Sequence, residues 1–201
     1  STYNAMPNST LPCRAEAVDT QGSLVQSETS SIIENRLPEI SSISISPGSV
    51  ETHELLTAQT QHTELDGESV SIHYDWSVDA TIVQSGSDNT LSGLVHFDKG
   101  QVIFVTATPN DGFGNGAAVS STNVTVSNSV PTTPGVHLVD SNGSAFSSTA
   151  ANAEDIICAV SLPSSDLDSD PLSYEMEWYV DGALWTGNTA TTTHTGDTIL
   201  A

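Results

Sequence analysis

Three segments of this chain occur twice, and in the same order when the end of the chain is read on into its beginning. The matched pairs are residues 65–79 with 167–181, 105–111 with 13–19, and 118–131 with 24–38. The segments that should follow 167–181 therefore lie at the start of the chain. Repeats of this kind indicate units that stack on or complete one another. The pattern predicts one period of a repeat, in which one copy's end continues into the next copy's beginning.

The apolar residues alternate with polar ones along most of the chain. Every second residue is apolar or aromatic in Val70–Trp76 and again in Leu172–Trp178, and Asp181-Gly182 and Asn110-Asp111-Gly112 supply turn signals. A period of two is typical of half-buried strands, and short strands between such turns are typical of sandwiches. No stretch of a dozen residues has helical periodicity. We therefore predict an all-β protein built from β-sandwiches.

The repeats also predict the domain boundaries. Residues 37–130 form one complete sandwich, and residues 131–201 supply the first strands of a second. Residues 1–36 supply the last strands of that second type, so that 131–201 are completed by residues 1–36 of an adjacent copy. At 201 residues the chain has room for two domains of ordinary size. Pro38 and Pro131 act as short, stiff linkers.

The charge excludes several classes of partner. Asp and Glu number 25 against three Lys and Arg, which gives a formal net charge of -22. Such a surface repels nucleic acid and anionic membranes and suits divalent cations.

No segment is long and apolar enough to insert in a membrane, and none has the pattern of a signal peptide. The six His lack metal-ligand spacing and no Ser lies in a nucleophile elbow, so we predict that the chain is not an enzyme.

Cysteine and tryptophan positions carry a resemblance to a known class of domain. Cys158 precedes Trp178 by twenty residues, and Cys13 lies on a later strand when the two chain ends are joined. At these residues the chain resembles the immunoglobulin-like or cadherin-like tandem repeats of large bacterial surface and secreted proteins. That resemblance implies an inter-sheet Cys13–Cys158 disulfide between copies, in an oxidising, extracellular setting. Separately, the match of residues 65–79 with 167–181 predicts equivalent core positions for Trp76 and Trp178.

Two alternatives for the cysteines remain open at this point. They are unrelated and unpaired, or they form a bond within one chain that folds the first strands back over the complete domain. In the complete domain, Thr57 and Val105 take the two Cys positions, so that domain is held by packing alone.

Acidic side chains alternate in two matched turns. Asp166, Asp168 and Asp170 could converge on one Ca²⁺, which takes oxygen ligands, and Glu64, Asp66 and Glu68 occupy the same place in the complete domain. The alternative is a solvated turn whose carboxylates accept local backbone hydrogen bonds.

The glycosylation sequons are weak evidence. They lie at Asn8, Asn123 and Asn142, about the number that this composition gives by chance. Glycans are therefore only an optional partner.

These features favour a mechanical role. We predict a structural repeat unit of an extracellular filament, stalk or matrix protein at the cell surface, with copies of itself as partners. The copies are either separate subunits that donate strands or repeats of one giant chain. The alternative is a Ca²⁺- or carbohydrate-binding adhesin module. A third possibility is an accessory sandwich of a secreted hydrolase.

Overall fold

The computed structural model describes residues 6–146, 156–186, 189–192 and 196–199. Its strands are β1 Thr10–Val18, β2 Leu24–Ile32, β3 Glu39–Ser46, β4 Val50–Glu51, β5 Leu55–Thr63, β6 Ser71–Val78, β7 Thr81–Gly86, β8 Thr90–Ser92, β9 Val102–Asn110, β10 Val119–Ser120, β11 Val124–Ser127, β12 Gly135–Val139, β13 Ile156–Leu162, β14 Tyr179–Val180, β15 Ala183–Leu184, β16 Thr189–Thr192 and β17 Gly196–Ile199. One short helix, α1 Gly93–His96, lies between β8 and β9. The prediction of an all-β, sandwich-type protein is confirmed.

The chain divides into two compact units, residues 1–127 and 128–201. The first unit contains the complete sandwich and also the hairpin formed by β1 and β2. The second contains a four-stranded sheet in the order β12-β13-β17-β16 and a separate small hairpin of β14 and β15.

Two sheets enclose the core of the complete sandwich. One has the order β4-β11-β9-β6-β7, with β10 also paired to β9, and the other has the order β3-β5-β8. The core takes side chains from both, and its fully buried members include Trp76, Leu56, Leu91, Ile103 and Val105. Alternating apolar positions produce this arrangement, because successive side chains of a strand point to opposite faces.

Strand β9 gives the clearest example of that alternation. Ile103, Val105, Ala107 and Pro109 are buried, while the residues between them are half-buried. β6 pairs with β9 along eight residues, and Trp76 lies opposite Val105. The longest ladder of the sandwich therefore lies at its centre.

β1 and β2 form an antiparallel hairpin of two nine-residue strands, and every residue of both strands is exposed. Its turn is held by Asp19, whose Oδ1 accepts the backbone N–H groups of Gln21 at 2.9 Å and Ser23 at 2.7 Å. A two-stranded hairpin with no covered face is marginally stable by itself.

The pairing in this hairpin agrees with the internal repeat. The match of 13–19 with 105–111 makes Leu11 the counterpart of Ile103, and the match ending at the two prolines makes Ser31 the counterpart of Val124. Leu11 pairs with Ser31 in the hairpin, and Ile103 pairs with Val124 in the complete sandwich. Two separate sequence matches thus arrive at one pairing register.

The second unit repeats part of the same plan. The β6–β7 turn has positive φ at Asp79 (48°) and Ala80 (65°), and the β14–β15 turn has it at Asp181 (50°) and Gly182 (82°). Such two-residue turns match the twist of a hairpin. However, residues 172–178, the counterpart of most of β6, form no strand. β6 lies between β7 and β9, and among the described residues of the second unit no strand stands where β9 would be.

Candidate functional site

One face of the β1–β2 hairpin is an apolar surface that nothing in the described chain covers. It carries Leu11, Cys13, Ala15 and Ala17, because alternate residues of β1 share a face. Their partners on β2 are Ser31, Thr29, Ser27 and Val25. Leu11 is 48% exposed and Val25 is 71% exposed. The opposite face is polar in its middle, where Arg14 pairs with Glu16. We call the apolar face of β1 and β2 the hairpin face.

The hairpin face has a buried counterpart in the same molecule. The repeat places Leu11, Cys13, Ala15 and Ala17 at the positions of Ile103, Val105, Ala107 and Pro109. All four of those residues of β9 are buried. A surface that is exposed in β1 is therefore the centre of a core where the repeat is complete.

The cysteines do not form a disulfide within this chain. Cys13 is exposed on the hairpin face, whereas Cys158 on β13 is half-buried, with its Sγ 3.9 Å from Sδ of Met176. The fold-back bond is thus absent from the structure, and the bond between copies remains a prediction.

The counterpart positions in the complete sandwich differ from each other. Val105 is fully buried. Thr57 is half-buried and lies between two core residues, Leu56 and Ala58. Cys158 contacts Met176, which is half-buried like Trp178 two residues further along the chain.

The two tryptophans differ in burial. Trp76 is fully buried in the core, whereas Trp178 is half-buried. Each indole Nε1 is shielded from solvent and lacks a hydrogen-bond acceptor among the described residues. The equivalence of the two positions therefore stays a prediction, because the segment that carries Trp178 forms no strand.

Carboxylates converge in both acidic turns. One oxygen from each of Glu64, Asp66 and Glu68 lies within 4.8 Å of the others, and the same holds for Asp166, Asp168 and Asp170. The first residue of each turn folds back on the middle one: Glu64 Oε1 accepts the N–H of Asp66, and Asp166 Oδ1 accepts the N–H of Asp168. The turns are therefore similar in geometry as well as in sequence.

The middle carboxylate of each turn holds the segment that enters the sandwich. Asp66 Oδ2 accepts the backbone N–H of Arg36 at 2.7 Å, and Asp168 Oδ2 accepts that of Ser129 at 2.6 Å. Arg36 and Ser129 each follow the Asn of a matched Asn-x-x-Pro segment. We call each of these two contacts a linker clamp. Each clamp holds the backbone at the point where the chain enters the β-sheets of that unit.

In the first unit the clamp also includes a charge. The Arg36 guanidinium donates from Nε to Asp66 Oδ1 at 2.7 Å and from an Nη to the carbonyl of Leu65 at 3.0 Å. The backbone N–H of Arg36, and then its guanidinium, hold the pKa of Asp66 below the ordinary value of 3.8. Asp66 therefore serves as a clamp with its charge already balanced.

The outer carboxylates of that turn are not balanced. Oε2 of Glu64 and both carboxylate oxygens of Glu68 are shielded from solvent and have no hydrogen-bond partner among the described residues, and the same is true of Oδ1 of Asn35 beside the clamp. An ionised carboxylate in this situation is costly. Oxygen ligands are those that Ca²⁺ takes, so the chemistry of the set fits a hard cation.

Asn35 and Asp111 form a second contact beside the clamp. Asn35 Nδ2 donates to Asp111 Oδ2 at 2.9 Å, and this bond lowers the pKa of the 5% exposed Asp111. Sequence reasoning did not identify these residues as part of a site. The matched Asn-x-x-Pro segments were the available signal.

The sequon asparagines Asn8, Asn123 and Asn142 are all exposed. Exposure makes them accessible to glycosylation but does not distinguish them from other surface asparagines.

A Ser, a His and an Asp meet on the exposed side of β6 and β7. Ser85 Oγ donates to Asp75 Oδ1 at 2.6 Å and lies 2.9 Å from His73 Nε2, while Asp75 lies 3.3 Å from that same Nε2. A catalytic triad requires the Asp on the other ring nitrogen, so that the His can accept the Ser proton. The arrangement is a surface hydrogen-bond network.

No helix among the described residues has the length and apolarity needed to cross a bilayer. No protein-family model matches the chain, and neither does any curated protein. The function must therefore be inferred from the hairpin face, the linker clamps and the acidic turns.

Proposed function

We propose that this chain is a structural repeat unit of an extracellular filament, stalk or matrix protein of the immunoglobulin-like type. Copies join when the β1–β2 hairpin of one completes the split sandwich begun by residues 131–201 of another. Its task is mechanical: to bear load and to space other modules along a fibre.

The observation that carries this proposal is the equivalence of the hairpin face with the buried face of β9. Strands that expose an apolar face and an unpaired edge bind other strands, and natural proteins ordinarily protect such edges. Here the charged residues of the hairpin, Arg14, Glu16 and Glu28, lie on the opposite face, and no strand in the described chain blocks the edge of β1. Assembly between copies would bury the face in the same way as the complete sandwich does.

The linker clamps support the same role. A spacing element needs the chain to be held where each domain begins, and free linkers do not supply such an entry point. Asp66 and Asp168 each fix that entry point with a bond below 2.8 Å. The clamp occurs at both boundaries, as a repeating fibre requires.

Electron microscopy of the purified chain tests the proposal. We expect chains of beads that dissociate under reducing, denaturing conditions to the 21.0 kDa monomer. Ala15→Glu places a charge on the hairpin face and should abolish the chains, whereas the matched Ser30→Glu on the opposite face should leave them intact. Monomers at every concentration, or equal assembly by both variants, would contradict the role.

Labelling of intact source cells with an antibody to the chain tests the location. We expect surface label without permeabilisation. The mass of the labelled protein under denaturing conditions then separates subunits from a continuous repeat: near 21.0 kDa for subunits, and far larger for one giant chain.

A second candidate function, a Ca²⁺-binding adhesin module, is favoured by the unpartnered oxygens of Glu64 and Glu68. A cation that binds only the folded state raises stability, by about 1.4 kcal/mol at ten times its Kd. We expect Ca²⁺ to raise the melting temperature of the wild type and not of Glu68→Gln. Without Ca²⁺ the variant should be the more stable protein, because it removes one of three converging carboxylates.

The control for that experiment is Glu28→Gln on the exposed hairpin. It should leave the response to Ca²⁺ unchanged. A wild type that melts at one temperature with excess Ca²⁺ and with excess chelator would rule out the site.

A further inference from the structure

We propose a specific register for the contact between copies: β1 of one copy pairs with residues 172–178 of a second, with Cys13 opposite Trp178 and Arg14 opposite Glu177. This inference rests on the proposed function and specifies its interface. The occupant of the open edge is thus the hairpin of another copy.

The register follows from the β6–β9 ladder. In that ladder Trp76 pairs with Val105, and Asp75 pairs with Thr106. The sequence repeat makes Trp178 and Glu177 the counterparts of Trp76 and Asp75, and makes Cys13 and Arg14 those of Val105 and Thr106. Transferring the β6–β9 pairing to these counterparts places Cys13 opposite Trp178 and Arg14 opposite Glu177. A register one residue away would turn the hairpin face outward, because side chains alternate.

The edges of the strands are compatible with this pairing. β9 has β6 along one edge and β10 and β11 along the other. β1 already has β2 in the place of β10 and β11, and its other edge bonds no strand in the described chain. Residues 172–178 alternate between half-buried and exposed from 173 to 178 but lack a ladder. Each segment therefore lacks the neighbour that the other would provide.

Charge favours Arg14 at this position. Residues 128–201 contain ten Asp and Glu and no Lys or Arg. The Arg14 side chain of the donating copy therefore meets no Lys or Arg in this segment that would compete for its carboxylates. Arg14 directly opposite Glu177 forms a favourable cross-strand pair. Glu16 then lies opposite Glu175, and Arg14, diagonal to Glu175, offsets that repulsion.

The register also brings the two cysteines together. Cys13 arrives level with Trp178, on the face that Trp178 shares with Met176, and Cys158 Sγ is already 3.9 Å from the Met176 sulfur. The two thiols form one S–S bond when an oxidised small-molecule disulfide, such as oxidised glutathione, accepts two electrons and two protons and leaves as two thiols. The product is a covalent bond between copies.

A mixing experiment tests the register. Cys158→Ala keeps only Cys13, so this variant is the donor of the hairpin. Cys13→Ala keeps only Cys158, so this variant is the acceptor. With oxidised glutathione, the equimolar mixture should give a covalent dimer of two 21.0 kDa chains and nothing longer, whereas the wild type should give a ladder. Each variant alone should give at least tenfold less dimer than the mixture.

A shifted donor supplies the matched control. Cys13→Ala/Arg14→Cys/Cys158→Ala moves the thiol one residue along β1, to the opposite face, and should cross-link at least tenfold less. Arg14→Glu in the donor should slow cross-linking severalfold, and Glu177→Arg in the acceptor should restore it. Equal cross-linking by the shifted donor, or no rescue by the charge exchange, would overturn the register.

The outcomes separate this inference from the proposed function. Bead chains of the wild type without Cys13–Cys158 cross-linking would leave the filament role and refute the register. If the two variants cross-link in the mixture but the wild type forms no bead chains, the pairing is confirmed and the filament role is refuted.

Discussion

At the scale of single residues, Asp66 and Asp168 show how one side-chain type does a repeated task. Each lies in the middle of an acidic turn, where spacing suggests a metal ligand, yet each accepts a backbone N–H from the entering chain. The outer residues of the Glu turn have oxygens without a hydrogen-bond partner in the described part of the chain. Position within the turn therefore separates a structural carboxylate from candidate ligands.

Asp66 should make the stability of the first unit sensitive to acid. Because its pKa is lowered on folding, its charged form stabilises the fold above the ordinary value of 3.8, and this contribution is lost as the pH falls through the lower, folded-state pKa. Asp66→Asn keeps an acceptor but no charge. We expect its urea midpoint to lie below that of the wild type at neutral pH, and the gap to narrow at about pH 2.5.

Glu28→Gln, on the exposed hairpin, is the comparison for that measurement. Its midpoint should follow the wild type at both pH values. A gap for Asp66→Asn that stays constant with pH would mean that the charge of Asp66 does not contribute.

At the scale of elements, the two hairpins β6–β7 and β14–β15 use the same turn with different residues. Both turn positions have positive φ in each hairpin, and the second position is Ala80 in one and Gly182 in the other. L-residues other than Gly, Asn and Asp adopt this conformation at a cost of about 1–2 kcal/mol. The first hairpin therefore carries strain that the second avoids.

Ala80→Gly should stabilise the complete sandwich by about 0.5–1 kcal/mol. The relief of strain exceeds the extra entropy that Gly gives the unfolded chain. Ala58→Gly in β5 is the matched control, and it should destabilise the sandwich, because an extended, buried position gains nothing from Gly. Urea unfolding measures both. Destabilisation by Ala80→Gly would show that the turn is not strained.

At the scale of the whole molecule, the net charge of -22 opposes the proposed association between copies. One Arg14–Glu177 pair cannot offset repulsion between two chains that each carry this charge. Assembly between copies therefore requires screening as well as an apolar surface.

Salt should accordingly promote cross-linking of the donor and acceptor variants. Raising the ionic strength from about 0.01 M to about 0.15 M shortens the screening length from about 30 Å to about 8 Å. We expect the rate of dimer formation to rise severalfold over that range, followed on non-reducing gels. The shifted donor should stay slow throughout. A rate that falls with salt would mean that local attraction outweighs the global repulsion.

Much of the architecture could be predicted from the sequence, because alternation and repetition are local signals. The apolar residues of β6 and β9 predict the core strands, and the matched segments predict that Leu11 and Ser31 take the places of Ile103 and Val124. The linker clamp could not be predicted, since nothing near Arg36 indicates which of 25 carboxylates it contacts. The missing strand at 172–178 was also not predicted, because an alternating segment forms a strand only beside a partner.

The clamp at Arg36 has a consequence for durability. Proteases that cleave after basic residues have only Arg14, Arg36 and Lys99 as targets in 201 residues. Arg14 lies within a β-ladder, and the Arg36 guanidinium is held by Asp66 and Leu65. Extended backbone in a ladder does not fit a protease cleft, so capture of β1 by another copy would shield Arg14 further. If copies join as proposed, trypsin-like enzymes would therefore cut slowly at Arg14 and Arg36, the two sites beside the junctions.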